Sequence, residues 1–510
     1  MYNSSICIRA AKTVYHFITN SVVYRFMLAV LSYLIDAYKD SCFRKFLLKL
    51  GSSENFTETS LFYKFFNSIF GFFFLLSRKF YAYFKNSVTY KILKTSLKNS
   101  FFFSFKNSMP ILIFIMFSVP HDLWNNTYAL IMALAMCVLY IAEYASERDV
   151  GKNFLKIPFS LILFFASLVL GIVISYDVSD SIRTMAFFVT SYLICFCIYG
   201  SVYSYEKMQR LLFFIYCSLM VMSVLAIFQR ITGIKADASL TDLKLNAHMP
   251  GRVFGTLGNP NNFAEVLTLF IPLCAAYILN LKNETAKFFA TLSMALPMAA
   301  LLLTYSRSGW IAFFVSVIVF IALYNYKLLP ILAFGAICMI PLLPQSILNR
   351  ILTIGNLSDS SSSYRVDIWT GCLEMLKKYW FTGIGIGSGA FKAVYPPYAV
   401  GTSAIAPHSH MQIMEMLIEG GILCLAAYLW FNYCFIKNSC VGEEKTKNSD
   451  MKNILIAGTA GVSGIMVIGC FEYCWFYPRV MFAFFVCMGI CFAALRISKK
   501  ILIYNGRFKR

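Results

Sequence analysis

Twelve apolar runs, each close to the length that crosses a bilayer, most narrow what this chain can fold into. They cover 101–120, 127–144, 157–176, 182–200, 209–229, 263–281, 286–304, 309–326, 328–344, 411–436, 453–472 and 475–495. Hydrocarbon offers no partner to a backbone N–H or C=O, so each run must satisfy its own, which a helix of roughly 20 residues does. The chain is therefore predicted to be an all-α polytopic membrane protein with about 12 transmembrane helices. Its 510 residues are 59% hydrophobic and 14% charged, where soluble domains carry roughly 25% charge.

The formal charge is +21, and its location excludes a nucleic-acid surface as the reason. Residues 1–108 hold 15 basic and 4 acidic side chains, and 496–510 hold six basic and none acidic. Basic flanks beside apolar spans mark the cytoplasmic side and favour anionic lipid as a partner, so both termini are predicted to be cytoplasmic. Counting spans inward from the C-terminus puts the basic links near Arg148–Lys156, Glu206–Arg210, Lys282–Lys287, Lys327 and Lys437–Lys452 on that same side.

Five regions follow. They are a basic, aromatic-rich cytoplasmic or interfacial region (1–100), nine spans (101–344), an extracytoplasmic loop (345–410), three spans (411–495) and a basic cytoplasmic tail (496–510). In the first region aromatic patches such as Leu61–Leu76 alternate with Lys and Arg, the pattern of amphipathic helices lying in the interface. Most of the 16 cysteines sit in apolar runs and read as small hydrophobes. With no CxxC pair and only scattered acidic residues, no protein-bound metal is expected.

The same count places two longer links outside, Arg230–Asn262 and Gln345–His410. In the second, Val366, Trp369, Leu373, Leu376 and Trp380 recur at helical spacing after the serines 360–363, which predicts an amphipathic helix capping the outer face. GIGIGSG (Gly383–Gly389) reads as a flexible turn rather than a nucleotide fingerprint, because no βαβ unit surrounds it. His408 and His410 close the loop. Ser409 and Gln412 form a capping-box pattern, predicting that the next helix starts at Ser409 with His410 as its first residue, where the positive helix end favours a neutral imidazole able to act as a base.

Arg252, before the turn Gly258–Asn259–Pro260–Asn261, joins Arg307 and Arg365 on this face with no matching carboxylate, a pattern that suits phosphate or pyrophosphate. Glu415 and Glu419 share a helical stripe roughly opposite His410 and are expected to pair within the bundle.

GNPNN, SRSGW, YRVDIW, GIGIGSGAF and HSHMQIMEMLIEGG, in that order across roughly 155–495, resemble the O-antigen ligase and polymerase superfamily. The resemblance implies a GT-C-like glycosyltransferase of the bacterial inner membrane, acting at the periplasmic face without nucleotide sugar, metal or other cofactor. Its donor would be a glycan on undecaprenyl pyrophosphate, and its acceptor a hydroxyl of lipid A core or another glycan or lipid-linked molecule. Carried over, Arg307 and Arg365 match the arginines on the pyrophosphate, and His410, nine residues before Glu419, matches the catalytic histidine. Arg252, His408, Asn259 and Asn261 are the further substrate-binding candidates. The family's usual asparagine after the histidine is here Met411. A ligase is the leading expectation. A polymerase of the same superfamily is the alternative, and a flippase for the same lipid-linked glycan is the rival from outside the enzymes, though no internal repeat supports it.

Overall fold

The computed structural model describes residues 6–50, isolated positions within 68–91, and 107–146, 158–236, 251–355 and 360–507. Most of the aromatic patch 61–76 lies outside the described residues. The protein is all-α. Among the described residues, eight helical runs are long and apolar enough to span a membrane: Val178–Ser201, Tyr205–Thr232, Pro260–Leu279, Glu284–Leu303, Arg307–Leu342, Gln412–Lys445, Ser449–Ile468 and Pro478–Lys499. Three shorter apolar helices, Ser108–Ser118, Asn126–Ile141 and Phe159–Val173, precede them.

Arg307–Leu342 is folded back on itself. A turn at Tyr326–Leu328 follows the helix Arg307–Asn325, and the chain then returns to its starting level. There the Tyr305 and Ser346 hydroxyls are 3.1 Å apart, and Arg350 Nε donates to Tyr305 O at 3.3 Å. Counting its two legs separately, a helix overlaps each of the twelve expected spans.

Three helices, Pro260–Leu279, Ser449–Ile468 and Pro478–Lys499, form the buried centre. Between helices in lipid the attraction comes from close packing, which small residues permit. Ser449–Ile468 presents Gly461 and Gly464 to its neighbours, where a Cβ would stand 3.2 Å from Leu269 O and 2.5 Å from Thr268 Cγ2. An aromatic cluster closes the centre beside them, with Phe164 stacked on Phe431 at 5.9 Å and Trp475 against Phe484 at 5.3 Å.

Each end of the bundle has its own chemistry. At one, Asn280 Nδ2 donates to Asp450 O, Lys452 pairs with Glu443, and Arg44 pairs with Glu444. Tyr24 donates to Lys327 O at this end, and Tyr433 and Lys437 donate to Leu47 O and Leu50 O. The helices Val22–Asp40 and Cys42–Lys49 are thus tied to this end through Tyr24, Arg44, Leu47 and the C-cap Leu50. At the opposite end, one helix length of about 30 Å away, the links 251–259, 304–306, 345–355, 403–411 and 469–477 converge beneath the cap helix Ser360–Tyr379.

The cap helix exists as expected but turns a partly different face inward: of the expected stripe, Leu376 is buried and Trp369 half-buried, its Nε1 donating to Ser409 O at 3.0 Å. Ile368, Cys372, Met375 and Leu376 are buried, whereas Val366, Leu373 and Trp380 are exposed. Both stripes have helical spacing, and packing against Phe391, Tyr395 and Ile418 selects the one that fits.

Candidate active site

The site is built around Glu472, which lies in the short link between the helices Ser449–Ile468 and Pro478–Arg507. Its Oε1 accepts from the Arg365 guanidinium and, at 3.0 Å, from Asn261 Nδ2. Its Oε2 lies 3.2 Å from His410 Nδ1. Burial would raise the pKa of this carboxyl, but Arg365 and the His410 hydrogen bond outweigh it and hold it down at about 2. Glu472 is therefore ionised at neutral pH. In a neutral His410 ring, Nδ1 must then carry the proton it donates, and Nε2 is the free base.

His410 is not the first residue of a helix. The helix begins at Gln412 with Met411 as its N-cap, and His410 has φ +53°, in the left-handed region. The capping box fails because tertiary bonds take its place. Gln412 N–H donates to Gly469 O at 2.7 Å and to Glu472 O at 3.1 Å, while Ser409 N–H donates to Glu415 Oε2 at 2.7 Å. The expected influence of a helix end on His410 is thus replaced by a carboxylate. His408 is buried, and its Nδ1 accepts the His410 backbone N–H at 3.1 Å. Burial and the neighbouring His410 hold His408 well below the ordinary imidazole range.

The arginines gather on the same end. Arg252 is buried, with Nε donating to Thr304 O at 2.8 Å and Nη2 to Asn261 Oδ1 at 2.5 Å. Burial and repulsion from Arg350, Arg365 and Arg307, partly offset by Glu472, draw it down to about 9, still protonated at neutral pH. Arg307 Nη1 donates to Thr353 O at 2.8 Å and its Nη2 to Ser362 Oγ at 3.3 Å, joining the helix Arg307–Asn325 to the start of the cap helix. Asn259 Oδ1 accepts from Asn261 N–H at 2.8 Å and caps Pro260–Leu279, while its Nδ2 is 3.5 Å from Tyr477 OH. All seven candidates thus lie at one end; Arg365, His410 and Asn261 meet directly on Glu472.

Glu472 corrects the expectation of arginines without a matching carboxylate. It went unread because the link FEYCWFYPR looks like the end of one span and the start of the next, and the expected span 453–472 absorbs it. The available signal was a carboxylate at the level of three arginines. Arg350, buried beside Tyr305, was likewise missed. Among the described residues, Arg252, Arg307, Arg350 and Arg365 thus gather at the end that holds Glu472.

GIGIGSG is a packed strut, not a flexible turn. Ile384 and Gly385 N–H donate to Ile418 O and Glu419 O, Gly387 N–H to Glu419 Oε1 at 2.9 Å, and Gly389 N–H to Asp180 Oδ2 at 2.7 Å. Glu419 also accepts from Tyr473 OH at 3.1 Å. The strut sits where the helix Gln412–Lys445 kinks at Gly420 and Gly421. Gly421 has φ +67°, and a Cβ there would lie 2.0 Å from Phe381 O. Glu415 and Glu419 thus find their partners within the bundle, in backbone N–H groups and a tyrosine. Among the described residues, no three His, Cys, Asp or Glu side chains are grouped to hold a metal ion.

Residues 292–429 match the family model described as O-Antigen ligase. This part of the chain is thus similar to the O-antigen ligase family. The match is narrower than the resemblance read from the motifs, and takes in Arg307, Arg350, Arg365, His408 and His410 but not Arg252, Asn261 or Glu472. No curated protein matches the chain.

Proposed function

We propose, on the premise of an O-antigen ligase-type membrane enzyme, that this protein moves an oligo- or polysaccharide from undecaprenyl pyrophosphate to an acceptor hydroxyl on the periplasmic side of the bacterial inner membrane. The observation that carries this reading is the sharing of Glu472 between Arg365 and His410. It sets a base and an anion-binding guanidinium side by side. His410 Nε2 takes the proton of the acceptor hydroxyl, whose oxygen attacks the anomeric carbon. The bond from that carbon to the pyrophosphate oxygen breaks, and the carrier leaves with the electron pair. Arg307 and Arg365 stabilise the charge that develops on it, and direct displacement inverts the anomeric centre. Arg252, with its guanidinium held by Thr304 and Asn261, adds field to the same end.

The superfamily includes polymerases as well as ligases. The size of the carrier-linked glycan extracted from cells lacking this protein separates them: long chains stranded on the carrier mean a ligase, and single repeat units mean a polymerase. A flippase accounts less well for polar groups gathered at one end of the bundle.

At the other end, the helices from Ile6 to Lys49 expose Phe17, Phe26, Tyr33, Leu34, Phe43 and Phe46 beside Arg25, Lys39 and Lys45. That combination supports contact with anionic lipid at the cytoplasmic leaflet.

A further inference from the structure

We propose that His408 is the positioning residue of the base, its ring accepting the His410 backbone N–H and thereby holding His410 in the left-handed conformation that directs its imidazole to Glu472. The inference rests on the reading of His410 as base. A residue with a Cβ adopts positive φ only where its surroundings impose it. At His410 three bonds do so. Ser409 N–H is held by Glu415 Oε2 at 2.7 Å, Ser409 O accepts from Trp369 Nε1 at 3.0 Å, and His410 N–H is held by His408 Nδ1 at 3.1 Å.

His408 is itself fixed. It is 5% exposed, its ring centroid lies 4.2 Å from that of His410 and 4.3 Å from that of Phe476, and Tyr473 stands edge-on at 5.6 Å. Accepting through Nδ1 assigns its proton to Nε2. With Nδ1 committed to the backbone and the ring enclosed, His408 supports His410 from behind rather than meeting substrate. An asparagine places Oδ1 the same number of bonds from Cα as Nδ1, so it can accept the same N–H, which leucine and alanine cannot.

The test uses full-length protein in proteoliposomes, with carrier-linked glycan extracted from the deletion strain as donor and membranes of that strain as acceptor. His408→Leu and His408→Ala are expected to lower kcat by about 100-fold, the cost of misplacing a reacting group by roughly an ångström, with the donor KM unchanged. His408→Asn is expected to restore most of kcat. The proposal is overturned if His408→Asn is as inactive as His408→Ala while equally folded by thermal melting, because the imidazole itself is then required. Full activity in His408→Ala overturns it as well. His410→Ala assayed alongside separates the two readings: activity in that variant removes the base, whereas an inactive His410→Ala beside a fully active His408→Ala removes only the positioning role.

Discussion

His410 Nδ1 lies 3.2 Å from Glu472 Oε2, across the interval between two helices that begin at Gln412 and Pro478. The same carboxylate holds Arg365 through its other oxygen, so one side chain sets both the tautomer of the histidine and the position of a guanidinium. Its side chain is 10% exposed, against 23% for His410 and 19% for Arg365. The orienting group lies deepest and the groups assigned to chemistry lie nearer solvent.

Glu472→Gln should therefore lower transfer by about 100-fold or more, the scale of losing an oriented general base. Donor binding should not weaken, because the substitution removes a negative charge from an arginine cluster. Steady-state kinetics in proteoliposomes check this: a raised donor KM with unchanged kcat would contradict the role assigned to Glu472.

Arg365→Lys should impair donor use even though the charge is kept, since an ammonium cannot reproduce the planar fork. The expected loss is about 10-fold or more, corresponding to one strong charge-assisted hydrogen bond. Titration with the extracted carrier-linked glycan measures it, and unchanged donor affinity would count against contact with pyrophosphate.

The pH dependence of stability has a definite sign. Glu472 is depressed to about 2 in the folded protein, below its ordinary unfolded value of roughly 4.3. Its contribution is thus fully present above the unfolded value and is lost as pH falls from there through about 2. Thermal melting in detergent should show an acid limb below about pH 4.3 that Glu472→Gln diminishes. An identical limb in both proteins would show that this ion pair is not what acid breaks.

Gly421→Ala should destabilise the protein by roughly 1–3 kcal/mol or more, because positive φ is costly for alanine and its Cβ would meet Phe381 O at 2.0 Å. A lowered melting temperature with loss of transfer is expected. A variant that melts like the parent would mean that the kink can relax.

The spans, the fold class and the helical cap were legible because apolar length and 3.6-residue spacing are local properties. That Arg307, Arg365 and His410 lie at one end of the bundle was legible because Arg307 and His410 flank apolar runs and Arg365 sits in the first turns of the cap helix. Glu472 was not, since its partnership with His410 reaches across 62 residues and the local pattern of FEYCWFYPR reads as a link; only its level beside the arginines pointed to it. Ser409 and Gln412 misled for a related reason. Their capping pattern is real in sequence, but the bonds that their N–H groups donate to Gly469 O and Glu415 Oε2 override it. Likewise the cap helix offered overlapping apolar faces that share Leu376, and only packing chose the one carrying Ile368, Cys372 and Met375 over the one carrying Val366 and Leu373.

The most direct test of the account is the carrier-linked glycan in cells whose only copy of this protein carries His410→Ala. The variant should insert and melt like the parent, yet leave the same undecaprenyl-linked glycan stranded as the deletion strain does, with no transfer to acceptor. Normal transfer by a correctly inserted His410→Ala protein would contradict the assignment of His410 as base.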